Sequence, residues 1–327
     1  MSLPWNPYPE EDMRFILSKT EHHFRNLDGS SFLLTGGTGF VGSWMLQFLM
    51  FASRNLKVNF SLDVVSRKSA LFSNASYPSI KFMQHDLRSP INFDDKDYSH
   101  VLFASTPSNP ATGGLDSDLV LESTVMGTRN LLEMLDRRNN QVKYLNTSSG
   151  AVKKVKSLTS IEGQGINEVY ANAKLEVEKI LTEAKVASKI TLCSPRLYSF
   201  AGPGIALNAH FAIGNFIRDA INGGDVIIKG SPETVRSYLH PIDMTIQLLD
   251  CLFTENVCSF PDIGSFNPVK LSDLAQTISK TLGNGNVTVV DNSQSPTTYV
   301  PDFLVPSLNH QHISLEETIN RWKNWLL

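Results

Sequence analysis

Tyr170 and Lys174 stand four residues apart at the start of a helical pattern that runs to about Val186. That spacing puts both side chains on one helical face. A lysine ammonium beside a phenol stabilises the phenolate and draws the tyrosine pKa down from an ordinary value near ~10. Tyr170 can then exchange a proton with a substrate oxygen. A neighbouring hydroxyl would orient that oxygen, and the run Asn146-Thr147-Ser148-Ser149-Gly150 offers several. The Y-x-x-x-K spacing occurs by chance in many helices. Its weight therefore rests on the elements that position it.

Those elements begin at residues 31–42, SFLLTGGTGFVG. Phe32, Leu33 and Leu34 make a short apolar run, long enough for a buried strand and too short for a helix. Gly36, Gly39 and Gly42 follow at three-residue spacing, and Phe40 to Phe51 is apolar and compatible with a helix. The pattern predicts a strand that feeds a helix through a glycine turn. Gly36 permits the tight turn, Gly39 lets the backbone approach a pyrophosphate, and Gly42 lets helix and strand pack closely. The helix N-terminus, at Phe40, Val41 and Gly42, faces the anion.

Further strands follow at Asn59 to Val65, Ile80 to Gln84, His100 to Ala104 and Gln141 to Leu145, with a long amphipathic helix over 118–138. Strands alternating with helices argue for an α/β fold of the Rossmann type, a doubly wound parallel sheet. Strand ends in such a sheet carry the ligand. After Val65 comes Ser66, then the cationic Arg67 and Lys68, where a chain preferring NAD would place an acid for the ribose hydroxyls. The nearest acid is Asp63. NADP is the expected cofactor, with NAD the alternative. Asp86 and Leu87, just past the third strand, would lie beside the adenine, unless Asp86 caps the next turn. Ala104 begins a run of small residues where the chain passes the cofactor, and 109–116 reads as a flexible loop. Lys174 would also bind the hydroxyls of the nicotinamide ribose.

The chain has 327 residues, a net charge of −3 and 19% charged residues, which supports neither a nucleic-acid surface nor a polyanion partner. No stretch approaches the ~20 apolar residues of a membrane span. Its three cysteines, Cys193, Cys251 and Cys258, lack metal spacing and suit a reducing, cytoplasmic setting. His310 and His312 form an isolated H-x-H read as surface, so no metal is expected.

Taken together, TGGTGFVG (35–42), TSSGAV (147–152), YANAK (170–174), PRLYSFAGPG (195–204) and VRSYLHPID (235–243) give the chain a resemblance. It resembles the extended short-chain dehydrogenases/reductases, in their nucleotide-sugar epimerase/dehydratase/reductase group. The resemblance implies a catalytic triad of Ser149, Tyr170 and Lys174, with Ser148 beside the substrate. It implies substrate contacts from Asn215 and, on the diphosphate, from Arg236, whose planar fork suits phosphate oxygens. Tyr299 would stack on base or sugar in a polar loop over 292–302. It implies a homodimer through the helices at 118–138 and 168–187. The expected organisation is an N-terminal helical extension (1–30), a dinucleotide-binding core (31–197) and a smaller interleaved substrate-binding lobe (198–327), of which 236–264 returns to the core.

One departure narrows the reaction. Similar 4,6-dehydratases carry an acidic pair directly after the catalytic hydroxyl, and Gly150 and Ala151 stand there. Dehydration is not expected. The implied activity is NADPH-dependent reduction of a nucleoside-diphosphate 4-keto-6-deoxy sugar, as in the reductases of dTDP-4-dehydro-6-deoxyglucose that serve surface polysaccharides. The rivals are a 4-epimerase that keeps its NAD bound and a non-catalytic NADP-binding regulator.

Overall fold

The computed structural model describes residues 7–67, 79–93, 96–106, 117–137, 141–155, 166–187, 190–209, 211–255, 258–282, 285–291, 293–302 and 312–327. Lys68, the 109–116 loop, the stretch 156–165 ahead of Tyr170 and His310 lie outside them. The described residues form two compact units. The first takes 7–106, 117–196 and 245–261, and the second takes 197–244 and 262–327.

The first unit opens with α1 (Glu10–Thr20) and a 3-10 turn, Glu21–Phe24. The apolar spacing over 10–26 predicts one helix; the α-helix instead ends at Thr20. The tighter turn beyond it brings His23 to Asp250 (2.7 Å) and buries Phe24 against Phe48, Phe60 and Phe253. Then come β1 (Ser31–Thr35), α2 (Phe40–Leu56), β2 (Ser61–Ser66), β3 (Ile80–Gln84) and β4 (His100–Phe103). After them stand α3 (Ser117–Asp136), β5 (Val142–Asn146), the two-residue β6 (Ser148–Ser149), α4 (Ile166–Val186) and β7 (Ile190–Cys193). The sheet runs β3-β2-β1-β4-β5-β7, parallel throughout. The order reverses between β1 and β4, and ligands of such sheets bind in the crevice at that point.

Buried on both faces, the strands read as near-continuous apolar runs. Phe32, Leu33 and Leu34 have no exposure, and Val101, Phe103, Val142 and Tyr144 extend the core beneath α3 and α4. Helix α2 is buried on most of its circumference because the chain ahead of β1 covers its outer side. The Tyr8 ring stacks on Trp44 at 4.0 Å, and its hydroxyl lies 2.7 Å from Ser43 Oγ.

β8 (Arg196–Leu197) leads from the first unit into the second. There follow β9 (Ser199–Phe200), α5 (Ala212–Ile221), β10 (Val226–Lys229), β11 (Val235–Leu239) and α6 (Pro241–Phe253), whose later turns belong to the first unit. The chain then adds β12 (Asp262–Ile263), β13 (Pro268–Lys270), α7 (Leu271–Leu282), β14 (Val287–Asp291), β15 (Thr298–Tyr299) and α8 (Leu315–Leu326). Strands β9, β13 and β15 pair with β11, and β10 pairs with β14. Trp322 and Ile319 of α8 are fully buried with Phe216, Leu274 and Ile278. The polar loop expected over 292–302 contains β15, since Thr298 and Tyr299 find a ladder partner in β11. Asp243 lies in the first turn of the helix that starts at Pro241. Its carboxylate accepts from the Ile313 amide at 3.0 Å.

The close approach of α2 to the turn after β1 depends on Gly42. A Cβ there would lie 2.7 Å from the Gly36 carbonyl carbon and closer still to its oxygen. Gly42→Ala is expected to cost about 1–3 kcal/mol, the usual penalty of overpacking. A urea-unfolding midpoint equal to that of the parent would contradict this packing.

Candidate active site

The crevice at the β1–β4 switch point is an open cleft of about 650 Å³. Gly36 turns the chain there with φ 73°, and a side chain on it would meet the Ala104 carbonyl, whose carbon lies 2.6 Å from the Cβ position. Gly39, on the cleft wall, precedes the 17-residue α2 in an extended conformation, and the first turn of the helix carries no acid. A helix N-terminus without an acid favours an anion. Gly36, Gly39, Ser66, Arg67, Asp86, Leu87 and Ala104 all line the cleft. Phe40, Val41 and Gly42 form the first turn of α2 and are not on its wall.

Ser105 and Thr106, of the small run expected beside the cofactor, line it too, as do Thr38 and His85, which the sequence did not single out. Thr38 sits within the glycine motif, its hydroxyl 3.3 Å from Ser66 Oγ. Asp63, the acid nearest the end of β2, is turned into the protein. It is 4% exposed, accepts from Lys96 Nζ at 2.8 Å and from Tyr98 OH at 2.7 Å. Among the described residues of this strand end, Val65, Ser66 and Arg67 line the cleft. Asp86 accepts from the Arg88 amide at 3.0 Å and from its guanidinium at 2.7–3.2 Å, the bonds of a turn cap. The guanidinium holds the Asp86 carboxyl below the usual carboxylate range. A dinucleotide fits this lining: glycine backbone and helix amides for the pyrophosphate, small and cationic side chains for the adenosine end.

Helix α4 starts at Ile166, so Tyr170 sits in its second turn, not at its start. Glu168 in the first turn suits the positive end of the helix, and Val169 anchors it in the core. Lys174 is 2% exposed, and its ammonium donates to Thr106 Oγ1 at 2.7 Å and to the Thr147 carbonyl at 2.5 Å. Burial pushes its pKa down to about 7, partly opposed by the charge of Glu178. The ammonium is 5.9 Å from the centre of the Tyr170 ring. Ser149 is buried at the head of the 3-10 helix Gly150–Lys154, where its Oγ accepts from the Ala151 amide at 3.2 Å.

Ser148, expected beside the substrate, is 2% exposed and donates to Glu178 Oε1 at 2.6 Å. The same carboxylate takes the Arg196 fork, Nε at 3.0 Å and Nη2 at 2.7 Å. Neither Glu178 nor Arg196 was read from the sequence as part of the site. The signal was present: Glu178 lies one further turn beyond Lys174, and Arg196 opens the PRLYSFAGPG motif.

The remaining candidates belong to the second unit. Asn215 on α5 donates to the Ala209 carbonyl at 3.1 Å and accepts from Arg218 at 2.8 Å. Arg236 on β11 donates to the carbonyls of Val235 (2.8 Å) and Thr297 (3.0 Å) and to Thr297 Oγ1 (3.0 Å). The Tyr299 hydroxyl donates to the Leu197 carbonyl at 3.2 Å, and its ring centre is 4.8 Å from that of Tyr198. Among the described residues, His22, His23 and Asp250 bring three ligand-type atoms within 4.8 Å of one another.

The Lys174 environment has a thermodynamic signature. The unfolded chain holds this proton up to the ordinary lysine value of 10.5, the folded chain only to about 7. Between those values the unfolded state binds more protons, so this residue's contribution to stability rises with pH. Lys174→Met removes that component. Urea unfolding at pH 7 and pH 9 should show the parent gaining stability relative to the variant at the higher pH; a constant difference would contradict the depressed pKa.

The chain matches the model of the "NAD dependent epimerase/dehydratase family" over residues 32–255. Among curated proteins it is similar to UDP-glucuronic acid decarboxylase 2 of Arabidopsis thaliana, 22% identical over 277 residues, 81% of this chain and 60% of that one. It is also similar to UDP-glucuronic acid decarboxylase 1 of Xenopus tropicalis, 24% identical over 276 residues, 79% of this chain and 62% of that one. The chain thus spans about three-fifths of the length of these relatives. Among solved structures, an epimerase from Methanothermobacter thermautotrophicus superposes with a TM-score of 0.74 at 18% identity, covering 95% of this chain and 96% of the other. UDP-glucose 4-epimerase of Thermotoga maritima, solved with UDP-glucose, gives 0.70 at 16% identity, with 90% and 98% covered. These likenesses agree with the Rossmann-type sheet order. A family match across more than half of the chain, on the glycine cleft, the serine-ended strand and the Tyr170–Lys174 helix, shows that the chain belongs to the NAD-dependent epimerase/dehydratase family.

Proposed function

We propose that the protein is a nicotinamide-dependent oxidoreductase of nucleotide sugars. Its proposed reaction is reduction of the 4-keto group of a nucleoside-diphosphate 4-keto-6-deoxy sugar, such as dTDP-4-dehydro-6-deoxyglucose. The observation that carries this reading is the buried Lys174 ammonium beside Tyr170, together with Gly150 and Ala151 just past Ser149. The first pair supports proton transfer to a carbonyl oxygen. The second leaves no acid or base where similar dehydratases keep theirs.

Gly36, Gly39 and the amides at the head of α2 would hold the cofactor pyrophosphate, and Ser66 and Arg67 would take a 2′-phosphate. That assignment, with Asp63 engaged by Lys96 and Tyr98, favours NADP over NAD. A dinucleotide bound there would supply a hydride to the carbonyl carbon. Tyr170 would give its proton to the ketone oxygen, which becomes the product hydroxyl. Ser149 donates a hydrogen bond to that oxygen, and Lys174 stabilises the phenolate left behind. Arg236, Asn215 and Tyr299 are assigned to the nucleotide sugar on the strength of the family resemblance. A homodimer through α3 and α4 and a reducing, cytoplasmic compartment for the free thiols complete the proposal.

The decarboxylase relatives favour a second reading, in which UDP-glucuronate is the substrate and the cofactor is recycled. Absorbance at the nicotinamide band separates the two. The reductase should consume NADPH in proportion to added 4-keto sugar nucleotide; carbon dioxide release from UDP-glucuronate without net NADPH loss would overturn it. Tyr170→Phe should lower turnover by ~100-fold or more and leave NADPH binding intact. Arg67→Ala should weaken NADPH about tenfold, the loss of one charge-assisted contact, and leave NADH unchanged. Equal effects on both cofactors would remove the NADP assignment.

A further inference from the structure

We infer that Glu178 is a positioning residue that keeps Lys174 in its charged form, and that Arg196 holds Glu178 in place for that task. The inference rests on the reading of Tyr170 and Lys174 as the proton-transfer pair and goes beyond it, to the group that sets their protonation.

Lys174 and Glu178 are one turn apart on α4, and both are nearly without solvent contact. A buried ammonium reverts to the neutral amine unless something opposes desolvation. Two oxygens, Thr106 Oγ1 and the Thr147 carbonyl, accept from Lys174. These are dipoles. Glu178 is the group whose charge favours the ammonium. Other titratable groups on the packed elements do not replace it. The described charged side chains of α3 are exposed, with Arg129 3.6 Å from Glu176 on the outer side of α4. Lys153 and Lys154 of the 3-10 helix are exposed cations, and Cys193 of β7 is a buried thiol.

Glu178 is itself a buried charge and must be paired to stay ionised. The Arg196 fork supplies that pairing, and Ser148 donates a third bond to Oε1. Phe260 covers the guanidinium, with Arg196 Cζ 5.4 Å from the ring centre. The result is a line of alternating charge, Arg196, Glu178, Lys174, that ends at the Tyr170 ring. Ser148 ties the line to the strand that carries Ser149.

Glu178→Gln keeps the shape and most hydrogen bonds and removes the charge. The alkaline limb of the kcat profile should move to lower pH by about one unit, the effect of losing one nearby opposite charge, with KM for the sugar nucleotide unchanged. Glu178→Asp should restore part of the shift. Titration of Lys174, followed by NMR on protein with 13C-labelled lysine side chains, should move the same way in the full chain without any substrate. A double variant, Glu178→Gln with Arg196→Met, removes the unpaired guanidinium and serves if the single variant does not fold. A Lys174 titration unmoved in both variants would overturn the inference. If Lys174 shifts while no sugar nucleotide is turned over by the parent, the proposed reaction fails and the role of Glu178 stands.

Discussion

An ammonium group cannot be taken out of water cheaply, and the first unit is arranged around one that has been. The acceptors for Lys174 come from two places in the chain, Thr106 after β4 and Thr147 after β5, and the charge of Glu178 stands one turn further along α4. Each must arrive from a different element, so the charge is tolerable only if the sheet order and the packing of α4 are already correct. The parallel ladder from β1 through β4 to β5 supplies that accuracy through its register. Thr147 is held twice by the Phe103 carbonyl, through its amide at 3.0 Å and its hydroxyl at 3.2 Å. The carbonyl that receives Lys174 is thereby fixed.

The same strand ends build the cleft. Gly36 and Ala104 approach so closely that only glycine fits at the first position. The glycine turn and Ala104 follow neighbouring strands of one sheet, whereas Ser149 stands on the separate two-residue β6 and Tyr170 and Lys174 on α4.

Much of this was legible in the residues. The glycine spacing, the apolar strands and the Tyr170–Lys174 pair each encode a local rule, and local rules read well in sequence. The strand at 80–84 falls where the apolar pattern put it. What escaped were contacts between distant parts of the chain. The absence of an acid after Val65 could be read directly, but that Asp63 faces inward required Lys96 and Tyr98 to be brought to it. The Arg196–Glu178 fork joins residues 18 apart, and nothing in either local pattern declares the partner. The strand at Thr298–Tyr299 was invisible for the same reason. It is polar, short and defined only by β11 beside it.

The chain ahead of β1 has a consequence of another kind. Tyr8 lies flat on Trp44, its hydroxyl is 2.7 Å from Ser43 Oγ, and its amide N–H donates to Gln47 Oε1 at 3.0 Å. Two successive turns of α2 are thus gripped by one residue. The stretch of α2 that Tyr8 covers is buried within its own chain, so that stretch is not a surface open to a second copy.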